Sequence, residues 1–114
     1  FEELNIESVW QCNEQWIDQP TPLITITLSR VAEEALTNIL KHSQASYVNV
    51  LLKENKNFIL EIHDNGKGFD PQQVEKELHV GLQSMQSRVE KMKGTLTIQS
   101  QPQSTLICIM LPKT

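Results

Sequence analysis

The chain has 114 residues, of which 39% are hydrophobic and 21% are charged, and its formal net charge at pH 7 is −4. This length and apolar fraction suit one globular domain, which we expect to span residues 1–114. The acidic balance, without any basic cluster, argues against nucleic acid as a partner, and the two cysteines stand in no metal-binding pair.

The first part of the chain predicts a strand, a turn and a long helix. Residues Glu7 to Gln11 are a weak strand candidate, and Pro20 and Pro22 indicate a turn because proline removes backbone donors. From about Leu23 to His42, apolar residues recur at steps of three and four, which is the period of an amphipathic helix. They are Leu28, Val31, Ala32, Ala35, Leu36 and Ile39.

The remainder predicts four strands and a second helix. Two alternating segments, Tyr47 to Lys53 and Phe58 to His63, flank a polar turn and predict a hairpin. After a glycine-containing loop and a polar stretch, a second helix is predicted from Gly81 to Lys93, with Gly94 as its C-terminal stop. Two more alternating strands follow, Thr95 to Gln99 and Thr105 to Leu111.

This order of elements predicts the fold class. Strands that are adjacent in sequence favour hairpins, and hence a mixed, mostly antiparallel sheet, and the two amphipathic helices can cover one of its faces. We therefore predict an α+β domain built as a two-layer α/β sandwich.

The long helix carries four polar side chains whose spacing suggests chemistry. Glu34 and Asn38 are four residues apart and share a face, and Lys41 and His42 extend that face by a turn. An amide oxygen suits magnesium, a carboxylate can accept a proton, and a lysine can meet a phosphate. The alternative is an ordinary solvated face, which is the simpler interpretation for Glu34 or Lys41 alone. Asn38 fits it less well, because asparagine is a mediocre helix former.

A second motif is the loop Asp-Asn-Gly-Lys-Gly at residues 64–68, which directly follows a predicted strand. Glycines at alternate positions allow a sharp turn and the close approach of a flat ligand. An aspartate at a strand end can accept a hydrogen bond from an exocyclic amine such as that of adenine. The alternative is a plain turn, since Asn-Gly is a common turn pair.

Gly81 is predicted to open the second helix, where free backbone N–H groups attract phosphate. The alternative is a glycine that only starts a helix. The residues from about 69 to 80 have little apolar content, which is typical of a mobile lid over a ligand.

Together the motifs resemble those of a known family. Glu-Ala-Leu-Thr-Asn at 34–38 and Asp-Asn-Gly-Lys-Gly at 64–68 look like two boxes of the ATPase group that unites DNA gyrase, heat-shock chaperones, histidine kinases and mismatch-repair proteins. With Gly-Leu-x-x-Met-x-x-Arg at 81–88, they resemble the nitrate/nitrite-sensor subfamily of two-component sensor kinases. The resemblance runs from about residue 28 to residue 112 and implies a Bergerat-type ATP-binding fold.

At the phosphate end, the resemblance implies a role for each polar residue of the long helix. Asn38 would coordinate magnesium, and Glu34 would be the general base or orienting acid. Lys41 and His42 would lie near the phosphates. The implied cofactors are ATP and Mg²⁺.

At the base end, the resemblance assigns the loop and the last strand pair. Asp64 would accept the adenine amine, and Gly66 and Gly68 would shape the pocket. Thr105 would support adenine directly or through water. The pair Gly81–Leu82 would close over the phosphates.

The resemblance also implies a function. ATP bound here with magnesium would donate its γ-phosphoryl group to a histidine on a separate helical domain of the same protein, and a response regulator would then receive it. This chain would be a monomeric piece, unable to autophosphorylate alone, of a longer homodimeric protein, and the cytoplasmic domain of an inner-membrane sensor. Two alternatives stay open: an anti-sigma-factor-type serine kinase of the same group, and a degenerate module that binds nucleotide or docks a partner.

Overall fold

The computed structural model describes residues 7–12, 17–68 and 76–113. In chain order the elements are β1 (Glu7–Cys12), α1 (Pro22–Asn38), a π-helical turn (Ile39–Ser43), β2 (Tyr47–Glu54), β3 (Asn57–Asp64), α2 (Lys76–Lys91), β4 (Thr95–Gln101) and β5 (Ser104–Pro112). Each of the five predicted strands is present, with ends that differ by at most two residues. Neither helix in these ranges has the length and apolar character that a membrane span requires.

The five strands form one mixed sheet in the order β1-β2-β3-β5-β4. β1 runs parallel to β2, and the other neighbours are antiparallel. Side chains alternate along each strand, and the register aligns Val50, Ile62 and Ile107 in one row across three strands. Val31 of α1 and Met85 of α2 are buried in the same core as this row. The predicted α+β sandwich, with its mixed and mostly antiparallel sheet, is confirmed.

α1 begins where the sequence marks a cap. The side chain of Thr21 accepts a hydrogen bond of 3.1 Å from the N–H of Ile24, and Pro22 occupies the first turn, where its missing N–H is tolerated. The helix buries one stripe of side chains: Ile24, Thr27, Leu28, Val31 and Ala35. The prediction placed a regular helix up to His42, whereas the last turn is π-helical and is followed by Gln44 with a φ of 57°.

α2 begins at Lys76, five residues before the predicted start at Gly81, and this part of the prediction was wrong. Leu78 explains the difference, because it is 5% exposed and extends the apolar stripe of α2 by two turns from Met85. In sequence, Leu78 lies four residues before Leu82 and seven before Met85, so the helical period reaches back to it and the prediction missed this extension. The predicted lid is therefore helical over its last five residues, and its first seven lie outside the described residues.

α2 ends in a Schellman motif. The N–H of Lys93 donates to the carbonyl of Glu90, and the N–H of Gly94 donates to the carbonyl of Val89, both at 2.9 Å. Gly94 was predicted as the stop, but the left-handed residue is Lys93, with a φ of 59°. Gly94 is required for another reason. A Cβ on it would lie 2.5 Å from the carbonyl oxygen of Met110, so the turn packs directly on β5.

Glu54, at the end of β2, fastens the segment before α1 to the sheet. Its side chain has no exposed surface and accepts the N–H of Ile17 at 2.7 Å, the N–H of Asp18 at 2.9 Å and the ammonium of Lys113 at 2.6 Å. Lys113 also contacts Asp18 at 2.9 Å and lies 5.6 Å from the ring centre of Phe58. Burial alone would raise the pKa of Glu54, but the hydrogen bonds, that of Lys113 foremost, hold it below its ordinary value.

Candidate functional site

Glu34 and Asn38, one turn apart on α1, converge on Gly81 of α2. Gly81 is buried, and a Cβ on it would lie 3.2 Å from Nδ2 and 3.3 Å from Oδ1 of Asn38 and would collide with Oε1 of Glu34. The two side chains predicted to share a face of α1 therefore lie together, and glycine lets α2 pass this close. A carboxylate beside an amide oxygen is a set of hard oxygen donors.

The amide of Asn38 has unused hydrogen-bonding capacity. Within the described part of the chain, its Nδ2 is buried and has no hydrogen-bond partner. An unpaired buried donor costs about 1–3 kcal/mol, so a ligand that completes it is favoured there. The donor set also fits Mg²⁺, which prefers oxygen and takes most of its ligands from water and phosphate.

Lys41 and His42 lie on the π-turn rather than on a regular α-helix. Lys41 is exposed and His42 is half-buried. Because a π-helix is wider than an α-helix, the regular spacing on which the sequence prediction relied ends at Asn38. Ser43 closes the turn, since its Oγ donates to the carbonyl of Ile39 at 2.8 Å. The contact of Lys41 and His42 with phosphate stays a prediction.

Asp64 ends β3 with a side chain that is 2% exposed. Its Oδ1 accepts a hydrogen bond of 2.8 Å from the N–H of Gly66. Burial raises the pKa of Asp64, against the opposing effects of that hydrogen bond and of His63. The loop therefore fixes the first oxygen of this carboxylate.

Asp64, Thr105 and Ser100 form a row across the sheet. Thr105 on β5 pairs with Asp64 on β3 and with Ser100 on β4 in the strand register. Thr105 is 3% exposed, and its Oγ1 lies 2.8 Å from Oγ of Ser100. The structure thus brings together two predicted site residues and adds Ser100, which was not predicted. The predicted strand ended at Gln99, so the sequence contained no local indication of Ser100.

Asn65 anchors the glycine loop to the start of β2. Its Oδ1 accepts the N–H groups of Ser46 and Tyr47, both at 2.9 Å, and its Nδ2 donates to Oγ of Ser46 at 3.0 Å. The backbone adds a bond of 2.7 Å from the N–H of Lys67 to the carbonyl of Ser43. In sequence, Asn65 is only the first half of an Asn-Gly turn pair, so this role was not predicted.

Gly66 and Gly68 let the loop lie against two neighbouring elements. A Cβ on Gly66 would lie 2.5 Å from Cβ of Ser43, and a Cβ on Gly68, which has a φ of 75°, would lie 2.7 Å from the carbonyl oxygen of Gln101. The carbonyl of Gly66 accepts the N–H of Gln103 at 2.8 Å. The loop is therefore held between the π-turn and the β4–β5 hairpin.

Gly81 and Leu82 do not start a helix. Both lie more than one turn inside α2, and only the first four N–H groups of a helix lack an intrahelical partner. The prediction that Gly81 offers free N–H groups to phosphate was therefore wrong. Leu82 is half-buried and packs against the core.

Comparison with known proteins decides the family. Residues 24–114 match the family model described as histidine kinase-, DNA gyrase B-, and HSP90-like ATPase. The chain belongs to this ATPase family. It is therefore an ATP-binding domain.

Two curated relatives and one solved structure illustrate the similarity. The signal transduction histidine-protein kinase/phosphatase DegS of Brevibacillus brevis is 45% identical over 93 residues, which are 80% of this chain and 24% of that protein. DegS of Bacillus subtilis (strain 168) is 40% identical over 108 residues, 90% of this chain and 28% of that protein. The structure of Acinetobacter baumannii histidine kinase AdeS matches 99% of this chain and 57% of its own, with a TM-score of 0.78 and 17% identity, which shows the shared fold. The chain spans about a quarter of the length of the DegS relatives.

Proposed function

We propose that this domain binds ATP with Mg²⁺ and supplies the γ-phosphoryl group to a histidine on a separate helical domain of the same protein, for onward transfer to a response regulator. One arrangement of polar groups supports the proposal: Asp64 is buried beside Thr105, and Glu34 and Asn38 lie together against Gly81. The relatives named histidine-protein kinase favour this function over a serine kinase of the same ATPase group.

At the base end, the buried carboxylate supplies specificity. Asp64 would accept the exocyclic amine of adenine, because its Oδ1 is held by Gly66 and its second oxygen remains for the ligand. Thr105, next to it in the sheet, would bind a second polar atom of the base directly or through water. A mostly apolar pocket with a few placed polar groups is the usual design of such sites.

At the phosphate end, Asn38 would hold Mg²⁺ through Oδ1, and the bound metal would neutralise charge on the phosphate oxygens. Lys41 and His42, on the π-turn that follows, would lie near the phosphates. Glu34 would accept the N–H of the acceptor imidazole and so turn the other ring nitrogen toward the γ-phosphorus. A nitrogen–phosphorus bond then forms as the bond from phosphorus to the β–γ bridging oxygen breaks, and ADP leaves.

The proposal extends to the whole protein, of which this chain would be the ATP-binding part. We place the acceptor histidine on a helical domain, two subunits in a homodimer, and this domain on the cytoplasmic side of an inner membrane. The resemblance to sensor kinases supports this arrangement. Cross-linking and cell fractionation of the full-length protein test it, and a soluble full-length monomer would contradict it.

Titration calorimetry of the 114-residue chain with ATP and ADP, with and without Mg²⁺, tests nucleotide binding. We expect Asp64→Asn to remove most nucleotide binding, because its amide N–H₂ would face the adenine amine and both groups are hydrogen-bond donors. Asp18→Asn, on an exposed segment, should leave binding unchanged. Asn38→Asp should alter the magnesium-dependent part alone. The absence of heat at millimolar nucleotide for the wild-type chain would overturn the proposal.

Phosphoryl transfer is tested with the full-length protein and ATP that carries a radiolabelled γ-phosphate. We expect Glu34→Gln to retain nucleotide binding and to lose most incorporation of label. Glu33→Gln is the matched control, since Glu33 is the adjacent residue and is exposed. Equal incorporation by both variants would remove Glu34 from the reaction.

A further inference from the structure

Ser100 and Thr105 place a hydrogen-bonded pair of hydroxyl groups beside Asp64. Thr105 is the register partner of both Asp64 and Ser100, so the three side chains stand side by side on β3, β5 and β4. Oγ of Ser100 and Oγ1 of Thr105 are 2.8 Å apart, and either can be the donor. Thr105 is almost fully buried, so the direction of this hydrogen bond decides what its hydroxyl offers to a ligand.

Ser100 is held in place by the glycine loop. A Cβ on Gly68 would lie 3.1 Å from Oγ of Ser100 and 2.7 Å from the carbonyl oxygen of Gln101, so the loop backbone packs directly on this end of β4. The carbonyl of Gly66 accepts the N–H of Gln103 in the turn of the hairpin. Ser100 therefore lies at the contact between the loop that follows Asp64 and the β4–β5 hairpin.

A hydroxyl group has a single proton, which it can give to one partner only. If Thr105 donates to Ser100, its oxygen faces the ligand as an acceptor. If Ser100 donates to Thr105, the proton of Thr105 is left for the ligand. The two arrangements suit different bases, because adenine has an acceptor at N1 beside its amine, whereas guanine has an N1–H donor beside a carbonyl oxygen.

We propose that Ser100 is a positioning residue that donates to Thr105 and thereby directs the proton of Thr105 toward the base, which favours adenine over guanine. The inference rests on the proposed function, in which Asp64 accepts the adenine amine. Asp64 and Thr105 then present an acceptor and a donor side by side, which matches the edge of adenine and opposes the edge of guanine. Ser100 acts on the base through Thr105 and does not touch the nucleotide.

The first experiment compares Ser100→Ala with Ser100→Thr, which keeps the hydroxyl. Kd values for ATP and GTP are measured by calorimetry on the 114-residue chain with Mg²⁺. Since the hydrogen bond that orients Thr105 is lost, Ser100→Ala should weaken ATP binding about three- to tenfold. GTP binding should not weaken, so the preference for ATP falls, and Ser100→Thr should restore it. Equal weakening of ATP and GTP would indicate a structural role and overturn the proposal.

The second experiment is a double-mutant cycle with Thr105→Val, which removes the partner hydroxyl at nearly constant shape. If Ser100 acts through Thr105, Ser100→Ala should change the Kd for ATP in the wild-type background and leave it unchanged in the Thr105→Val background. Equal changes in both backgrounds would overturn the proposal. ATP binding that depends on Asp64 but is indifferent to Ser100→Ala would leave the proposed function standing and overturn this inference alone. An absence of ATP binding by the wild-type chain would overturn both.

Discussion

Glu34 on α1 lies directly against Gly81 on α2, so that a Cβ on Gly81 would collide with Oε1 of the glutamate. The group that this added Cβ would meet is the end of a flexible side chain, which can move aside. At Gly68 the corresponding obstacle is the backbone carbonyl of Gln101, which cannot move without the hairpin. The same change from glycine to alanine should therefore affect function at one position and stability at the other.

Gly81→Ala should leave stability nearly unchanged and impair phosphoryl transfer. Alanine inside a helix is favoured over glycine by about 1 kcal/mol, and displacing the Glu34 carboxylate offsets a similar amount, so we expect a net change below about 1 kcal/mol. Transfer in the full-length protein should fall about tenfold or more, because the carboxylate loses its place. Urea unfolding and label incorporation measure the two effects. Gln83→Ala, at an exposed position of α2, is the control. Transfer at the wild-type rate by the Gly81→Ala variant would contradict the proposed role of Glu34.

Gly68→Ala should destabilise the fold. The residue has a φ of 75°, and the added Cβ meets the carbonyl oxygen of Gln101 at 2.7 Å, so both strain and collision oppose alanine. We expect a loss of about 1–3 kcal/mol in the free energy of unfolding. Lys67→Ala, at the exposed neighbouring position, should change it by less than about 0.5 kcal/mol. Equal values for the two variants in urea unfolding would show that the loop relaxes away from the hairpin.

The strands were predictable from the sequence because alternation is a local property. The spatial order of the strands was not, since β3 pairs with β5 rather than with β4. The placement of Asp64 beside Thr105 therefore came from family resemblance, and the register shows it directly. Ser100 escaped notice for the same reason, because its role depends on pairing across two strands.

The helices show why local patterns fail at their ends. The start of α2 depends on the burial of Leu78. Its spacing from Leu82 and Met85 continues the helical period, but this period does not show at which residue the helix begins. The start of α2 is therefore decided by how Leu78 packs in the fold. The π-turn after Asn38 has no marker in composition, because the bond from Ser43 to the carbonyl of Ile39 is one that serine also makes in a regular helix.

Asn65→Ala should loosen the glycine loop. It removes the two hydrogen bonds that Oδ1 accepts from Ser46 and Tyr47 and the one that Nδ2 donates to Ser46. Since water can replace part of them at this exposed position, we expect a loss of about 1–2 kcal/mol and weaker nucleotide binding. Asn65→Asp keeps the acceptor and should lose less than half as much. If urea unfolding gives equal losses of stability for Asn65→Ala and Asn65→Asp, the bonds to the two N–H groups do not anchor the loop.

Asp64→Asn should stabilise the domain at neutral pH while it removes ATP binding. Burial raises the pKa of Asp64, so the folded state binds this proton more tightly than the unfolded state. Protonation of Asp64 therefore stabilises the folded wild-type domain. This contribution is complete at pH values below the ordinary pKa of aspartate and is lost as pH rises through the raised pKa. Asparagine keeps an acceptor for the N–H of Gly66 without the buried charge. Urea unfolding across the acidic and neutral pH range measures this, and a lower stability of the variant at pH 7 would contradict it.

Glu54→Gln should have the opposite dependence on pH. Although burial alone would raise the pKa of Glu54, its hydrogen bonds with Lys113, Asp18 and Ile17 hold the pKa below the ordinary value. The carboxylate therefore contributes stability that is present above the ordinary pKa of glutamate and is lost as pH falls through the lowered pKa. The variant should be less stable than the wild type at pH 7 and should approach it at acidic pH, since the wild-type group is then protonated too. Glu33→Gln, at an exposed position, should change neither value. A constant difference between Glu54→Gln and the wild type at every pH would show that Glu54 acts by shape rather than by charge.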